Sequence, residues 1–333
     1  MTLDSATFNI ISNGLHSVAQ EMGEMLVRSA HSTIIREARD CSTSFLDRAG
    51  GIVAQAQFCP IHMNSFGMVF QEFNRRYDLS TLRPGEALIT NDPYSGAQHL
   101  NDILIFSPVF FKDRLVAFSA SLGHHIDVGG GAAGPNAGAA DIFAEGLRIP
   151  PLRFDVERDF GSGMLEQFIR FNVRAPEQVI GDLYAQLAAN RTGAVRFVEM
   201  LERFGEDAVL EAGAAIQDYS ERLTREAIRQ IPDGRYEAED FVDDNGFDQT
   251  PLRVKVAVTI DGDEIEVDFH GSADQRGGEG FGNGKTGPAA IRTKAHLIAL
   301  QPDFPVLQDD QGIHQLAAEI VAAPAVIGQR GQR

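Results

Sequence analysis

The sequence predicts an α+β protein with a mixed or antiparallel sheet and flanking helices. Three observations predict it. Residues 5 to 30 carry a helical stripe, several pairs of short β-rich runs are joined by tight turns, and residues 176 to 231 form a long helical block.

In the first segment Phe8, Ile11, Leu15, Val18, Met22, Met25 and Ser29 recur at alternating spacings of three and four, one face of an amphipathic helix. Asp4 stands where an N-cap belongs. "STSFLD" and "GIVAQA" follow as a hairpin turned at Arg48, Ala49 and Gly50, and "GEALITND" reads as a further strand. Residues 103 to 111 and 114 to 122 are two β-rich runs separated by Lys112 and Asp113. The glycine- and alanine-rich stretch from Gly123 to Gly146 reads as loop. Two or three helices are expected in 176 to 231, ended by Pro232, Asp233 and Gly234. "LRVKVAVTI", "DGD" and "EIEVDF" make a strand, turn and strand. Residues 287 to 300 are expected to add a helix. No internal repeat and no linker divides the chain.

The 333 residues suffice for one large or two ordinary domains with a full core. A formal charge of −18 opposes binding to nucleic acid phosphates and to anionic membrane surfaces. No apolar run reaches membrane-spanning length, and no signal-peptide pattern opens the chain. Cys41 and Cys59 are the only cysteines, so a reduced, cytoplasmic protein is the simplest expectation.

The chemistry concentrates in "NDPYSGAQHLNDILIF", residues 91 to 106. His99 and Asp102 are three apart, which lets a tight turn bring both to one point. Twenty-odd residues on, "SLGHHIDVGG" supplies His124, His125 and Asp127. If the runs between them pair as a hairpin with a three-residue loop, partner numbers sum to 226 and Asp102 faces His124. With a two-residue loop they sum to 225, and His125 shares the face instead. Either register yields two imidazoles and one carboxylate, a set suited to Zn²⁺, Mn²⁺ or Fe²⁺ with positions left open. The competing reading is of polar turn residues whose carboxylates cap backbone N–H groups.

Other candidates are weaker. "GGEGFGNGKTG" lacks a P-loop's first glycine, since Glu279 holds that position and would repel phosphate. The glycines after His125 suit a ligand-facing loop because they abut the cluster. His62 reads as structural, Asp40 as a turn cap or a site residue, and Cys41 and Cys59 as ordinary buried thiols.

Taken in order, "EMGEMLVRSAHSTIIREARDCSTSFLD", "GIVAQAQFCPIHMNSFG", "LRPGEALITNDPYSGAQHLNDI", "GHHIDVGG", "EGLRIPP" and "VDFHGSADQ" resemble the hydantoinase B/oxoprolinase family, which includes N-methylhydantoinase B subunits and a related acetone carboxylase component. The resemblance runs from about residue 8 to about 300 and implies one such domain over 1–333, incomplete at its C-terminal end. It departs at "EIVAAPAVIGQRGQR", which resembles an internal family segment with residues missing, and at Cys41, where an aromatic residue is common. It implies a hetero-oligomer with an A-type subunit that binds ATP and phosphorylates a substrate carbonyl oxygen. The B-type chain then hydrolyses a five-membered cyclic amide of the hydantoin or 5-oxoproline type. The alternatives are the metal-containing subunit of an acetone- or acetophenone-type carboxylase, acting on a ketone, and a non-catalytic assembly partner. In the carboxylase branch a metal is held by residues that match His99, Asp102 and His124, so the resemblance implies a divalent transition metal there and favours the 226 register. Asp127 or Asp92 is expected to orient a ligating histidine or to act as base.

Overall fold

A computed structural model describes residues 3–59, 62, 65–134, 136, 139, 141–243, 249–273 and 291–293. Helices and antiparallel sheets alternate along it, as expected for an α+β chain. The described residues form two compact units, the second taking Asp218 onward, from within a long helix, together with Ala139 and Asp141.

The first unit is built on a six-stranded sheet of order β2-β1-β5-β4-β3-β6. Its strands are β1 (Cys41–Leu46), β2 (Ile52–Gln57), β3 (Glu86–Thr90), β4 (Asp102–Phe111), β5 (Arg114–His124) and β6 (Leu152–Asp155), and every neighbouring pair is antiparallel. Strand residues alternate between two faces. Leu104, Phe106, Phe118, Ala120 and Leu122 point to one side and meet Phe66, Phe70 and Phe73 of α3 (Ser65–Arg76). The Phe70 ring packs edge-on against Phe106 and Phe118, with centroids 5.6 and 4.7 Å apart. The opposite side is covered by α1 (Ser5–Ser29) and α7 (Pro176–Phe204). A short α2 (Thr33–Arg36) links α1 to β1, while α4 (Ile142–Glu145), α5 (Val156–Asp159) and α6 (Met164–Asn172) occupy the connections before α7.

Asp4 caps α1 as expected, accepting from the N–H groups of Ala6 and Thr7. The buried stripe begins at Ile11 and Leu15 but continues through Ala19, Met22, Leu26 and Val27, leaving Met25 exposed. A strict 3.5-residue repeat drifts off one face of a straight helix, and the burial follows 3.6. Helix α1 approaches α7 closely at Gly193, where any Cβ would sit 2.3 Å from the Met22 sulfur.

The helical block resolves into α7 and α8 (Glu206–Arg229). The second unit carries a four-stranded sheet, β10-β9-β8-β7, from β7 (Gly234–Val242), β8 (Leu252–Asp261), β9 (Glu264–Asp268) and β10 (Ile291–Thr293). Val256, Val258, Ile260 and Ile265 bury against Ile228 of α8. Within the helix expected at 287 to 300, the three described residues are a strand pairing with β9, which suits an Ile-Arg-Thr sequence. The rest of that segment, "GNGKTG" and the C-terminal tail lie outside the described residues. Among the described residues no helix is long and apolar enough to cross a membrane.

Candidate metal centre

The β4–β5 hairpin decides which histidine joins Asp102. Its loop is the two residues Lys112 and Asp113, both at positive φ (50° and 59°), a primed hairpin turn. Next to the turn Phe111 faces Arg114 and Phe110 faces Leu115, summing to 225. A bulge between Val109 and Phe110 then inserts one residue, and from Val109↔Ala117 onward the sum is 226. Asp102 therefore faces His124 although the loop is the shorter one. The expectation that a two-residue loop delivers His125 is corrected by that bulge.

The turn before β4 supplies the third member. Asp102 N–H donates to the His99 carbonyl at 2.9 Å, folding His99 back beside the carboxylate. Four donor atoms of three residues now converge. His99 Nε2 lies 3.0 Å from His124 Nδ1, His124 Nδ1 lies 2.9 Å from Asp102 Oδ1, and His99 Nε2 lies 3.2 Å from Asp102 Oδ2. An ion with bonds of ~2.0–2.2 Å spaces adjacent N and O ligands by about 2.9–3.5 Å. The three separations match that spacing. Asp102 Oδ2 is buried without a hydrogen bond, as a carboxylate oxygen reserved for a cation would be. Asp102 is fully buried and His99 is half-exposed, so the group opens to solvent on the His99 side.

Charge reinforces the arrangement. Burial acts to raise the Asp102 carboxyl, but the His124 hydrogen bond and the surrounding imidazoles hold it below its ordinary value. Burial acts to lower His124, yet the hydrogen bond to Asp102 and the charges of Asp102 and Asp40 hold it above the usual histidine value.

His125 points to the other face. Its Nε2 meets Gln186 Oε1 of α7 at 2.9 Å, and Gln186 Nε2 donates to the Ile103 carbonyl. Asn101 and His125 exchange backbone and side-chain hydrogen bonds that lock the turn.

His62, read from the sequence as structural, and Asp40, read as a turn cap or a site residue, both adjoin the cluster. His62 Nε2 lies 3.9 Å from Asp102 Oδ1 and 3.4 Å from Asp40 Oδ1, and Asp40 Oδ2 lies 4.0 Å from His124 Nδ1. Burial holds His62 below its ordinary value. Asp40 arrives through β1: Cys41 pairs with Gly123 of β5, and His124 N–H donates to the Asp40 carbonyl. That pairing is non-local, and the only local hint was the turn-like context of each residue. Cys41 is buried as expected, and burial pushes its thiol up to about 12, whereas Cys59 is only half-buried.

Asp92 and Asp127 are engaged elsewhere. Asp92 caps the turn Pro93–Ser95, accepting from Tyr94 N–H and Ser95 Oγ, and takes both arms of Arg148 at 2.7 and 3.0 Å. Asp127 accepts from the N–H groups of Gly129, Arg174 and Ala175, joining the glycine loop to the start of α7. Asn91 is fully buried: its amide donates to the carbonyls of Leu100 and Leu147 and accepts from Ile149 N–H. The polar stretch opening β4 thus divides into framework (Asn91, Asp92) and cluster (His99, Asp102).

A family model described as hydantoinase B/oxoprolinase matches residues 4–306. The chain is 33% identical to the B component of a putative D-/L-hydantoinase of Pseudomonas sp. over 82% of its own length and 48% of that relative. It is 30% identical to the beta component of the caprolactamase of Pseudomonas jessenii, covering 80% of this chain and 46% of the relative. It thus spans about half the length of these curated relatives. The crystal structure of the ATP-dependent caprolactamase of Pseudomonas jessenii superposes with a TM-score of 0.76 at 29% identity, over 84% of this chain and 48% of that one. A nucleotide-free acetone carboxylase structure superposes with a TM-score of 0.73 at 19% identity, over 82% and 38%, a likeness of fold.

Proposed function

The chain belongs to the hydantoinase B/oxoprolinase family, and from that premise we propose that it is the B-type component of an ATP-dependent hydrolase that opens small cyclic amides. The observation that carries the reading is the convergence of His99 Nε2, His124 Nδ1 and the Asp102 carboxylate at ligand–ligand spacing. The names of two relatives, one component of a hydantoinase and one of a caprolactamase, favour a cyclic amide as substrate. Both relatives are single members of multi-subunit enzymes, and the related caprolactamase is ATP-dependent. Together these favour a separate A-type partner that carries ATP.

His99, Asp102 and His124 would hold a divalent Mn, Zn or Fe ion. Such an ion supplies Lewis-acid polarisation of a substrate oxygen and a water acidified from about 15.7 towards 7. The chain's own residues provide the rest. Asp102, fixed between two imidazoles on a rigid strand, keeps both rings aimed at one point. Half-exposed His99 marks the side from which a lactam enters. Asp92 acts as a positioning group, setting the turn that leads to His99, and Asp127 anchors the glycine loop that follows His124. Ring opening would break the ring C–N bond, placing water's hydroxyl on the carbonyl carbon and its proton on the departing nitrogen, while the phosphoryl group drawn from ATP leaves as phosphate.

The test is reconstitution. The chain, purified with its ATP-binding partner, is offered 5-oxoproline, hydantoin and caprolactam, with ATP present or absent. ATP-dependent ring opening of at least one is expected. Turnover confined to a ketone with bicarbonate would transfer the assignment to a carboxylase. A folded complex inert towards all of them would leave an assembly role.

A further inference from the structure

Helix α6 is inverted relative to an ordinary surface helix. Glu166 is buried, while Met164, Phe168 and Phe171 are 81%, 55% and 84% exposed. At helical pitch these three lie within about 60° of one another, on the side opposite Glu166 and Ile169. A polar clamp fixes the inversion. The Tyr184 hydroxyl of α7 donates to Glu166 Oε2 at 2.7 Å and accepts from Gly161 N–H at 2.8 Å. Ser162 N–H donates to the same oxygen at 3.2 Å, and Arg170 donates to Oε1 at 3.2 Å. Ser162 holds a φ of 80° to do so, a strained value for a residue with a side chain. Rolling α6 to bury its phenylalanines would strip Glu166 of these partners, so the apolar face stays outward. Its three side chains gather roughly 400 Å² of apolar surface in one place, a size typical of binding patches. The surrounding charge is unusual too. Residues 148–177 carry five arginines against five Asp and Glu, no net charge, in a chain of −18.

We propose that the Met164, Phe168 and Phe171 face of α6 is a self-association surface, on which a second copy of this chain docks through its own α6 about a two-fold axis. Two acidic copies repel over most of their surfaces and least where this neutral segment meets its own image. A two-fold contact is isologous, so Phe168 and Phe171 of each copy pack on those of the other. Pairing the two faces removes roughly 800 Å² of apolar surface from water, and the flanking residues bring the contact towards the about 1,200 Å² at which stable interfaces begin. An apolar contact between like-charged bodies is strengthened by salt, because screening weakens the repulsion and leaves the contact itself intact. The inference does not depend on the activity proposed above.

The test is sedimentation equilibrium of the full chain at increasing salt, beside Phe171→Ser and the double variant Phe168→Glu with Phe171→Glu. Wild type is expected to form dimers whose dissociation constant falls as salt rises. Phe171→Ser should weaken the dimer by at least about tenfold. The double variant should be monomeric, with circular dichroism and melting temperature unchanged because both rings stand in solvent. Wild type that stays monomeric at its highest soluble concentration would overturn the proposal. So would a dimer that survives the double variant, which would place the contact on another face. A chain monomeric by itself, whose binding to the ATP-binding partner is lost in the double variant, would give the face to that partner and overturn the second copy as its occupant.

Discussion

Asn91 and His125 show how single side chains hold the cluster in place without joining it. Asn91→Ala removes three hydrogen bonds, two of them buried, and strands two carbonyls and one N–H in two separate loops. A loss of about 2–4 kcal/mol is expected, read as a lower denaturation midpoint at unchanged m-value. His125 offers a pH signature. Burial holds its folded value below the ordinary 6.5, so between those two values the unfolded chain binds a proton that the folded chain does not. Its contribution to stability is therefore complete above about pH 6.5 and is lost as pH falls below it. Thermal melts of the metal-free protein from about pH 7.5 to about pH 5.5 should fall less steeply for His125→Gln than for wild type. An unchanged slope would show that His125 is not the group being charged.

Among the elements, the β4–β5 hairpin has the clearest consequence. Lys112 and Asp113 both occupy positive φ, a region that costs a non-glycine residue on the order of 1 kcal/mol. Replacing the pair with Asn-Gly should stabilise the protein by about 0.5–1 kcal/mol and leave the His124 side unmoved, because the bulge lies beyond the turn. Denaturant titration beside a metal-affinity measurement checks both halves. Much of this element was legible in the sequence: two β-rich runs turning near Lys112 and Asp113, and a histidine at the far end of each, with the loop length left open between two and three residues. The register was not, because a bulge at Val109/Phe110 arises from packing along the strand, and Pro108 beside it does not by itself fix the register. The same distinction holds for the site. The three-residue step from His99 to Asp102 is local and could be read, whereas Asp40 and His62 reach the cluster through the β1–β5 pairing and a segment beside Ser42. Helix α1 was visible by period, yet the outer end of its stripe turned away from Met25 because burial follows the helix pitch.

Across the chain and its partner, the proposed activity is divided in two. On that proposal nucleotide belongs to the A-type partner, so calorimetry of the isolated chain with ATP should show no saturable binding, and turnover should require both subunits. Micromolar binding abolished by Lys285→Ala would place nucleotide on this chain instead. Whether one face of one hairpin holds a catalytic ion is decided by metal content in a matched pair of variants. His124→Ala should lose the ion bound with His99 and Asp102 and, in the reconstituted complex, the ATP-dependent ring opening. His125→Ala should retain both and show its cost in melting temperature alone. Equal metal in wild type and His124→Ala, or loss of metal in His125→Ala at a temperature where it remains folded, would be incompatible with an ion held on the His124 face.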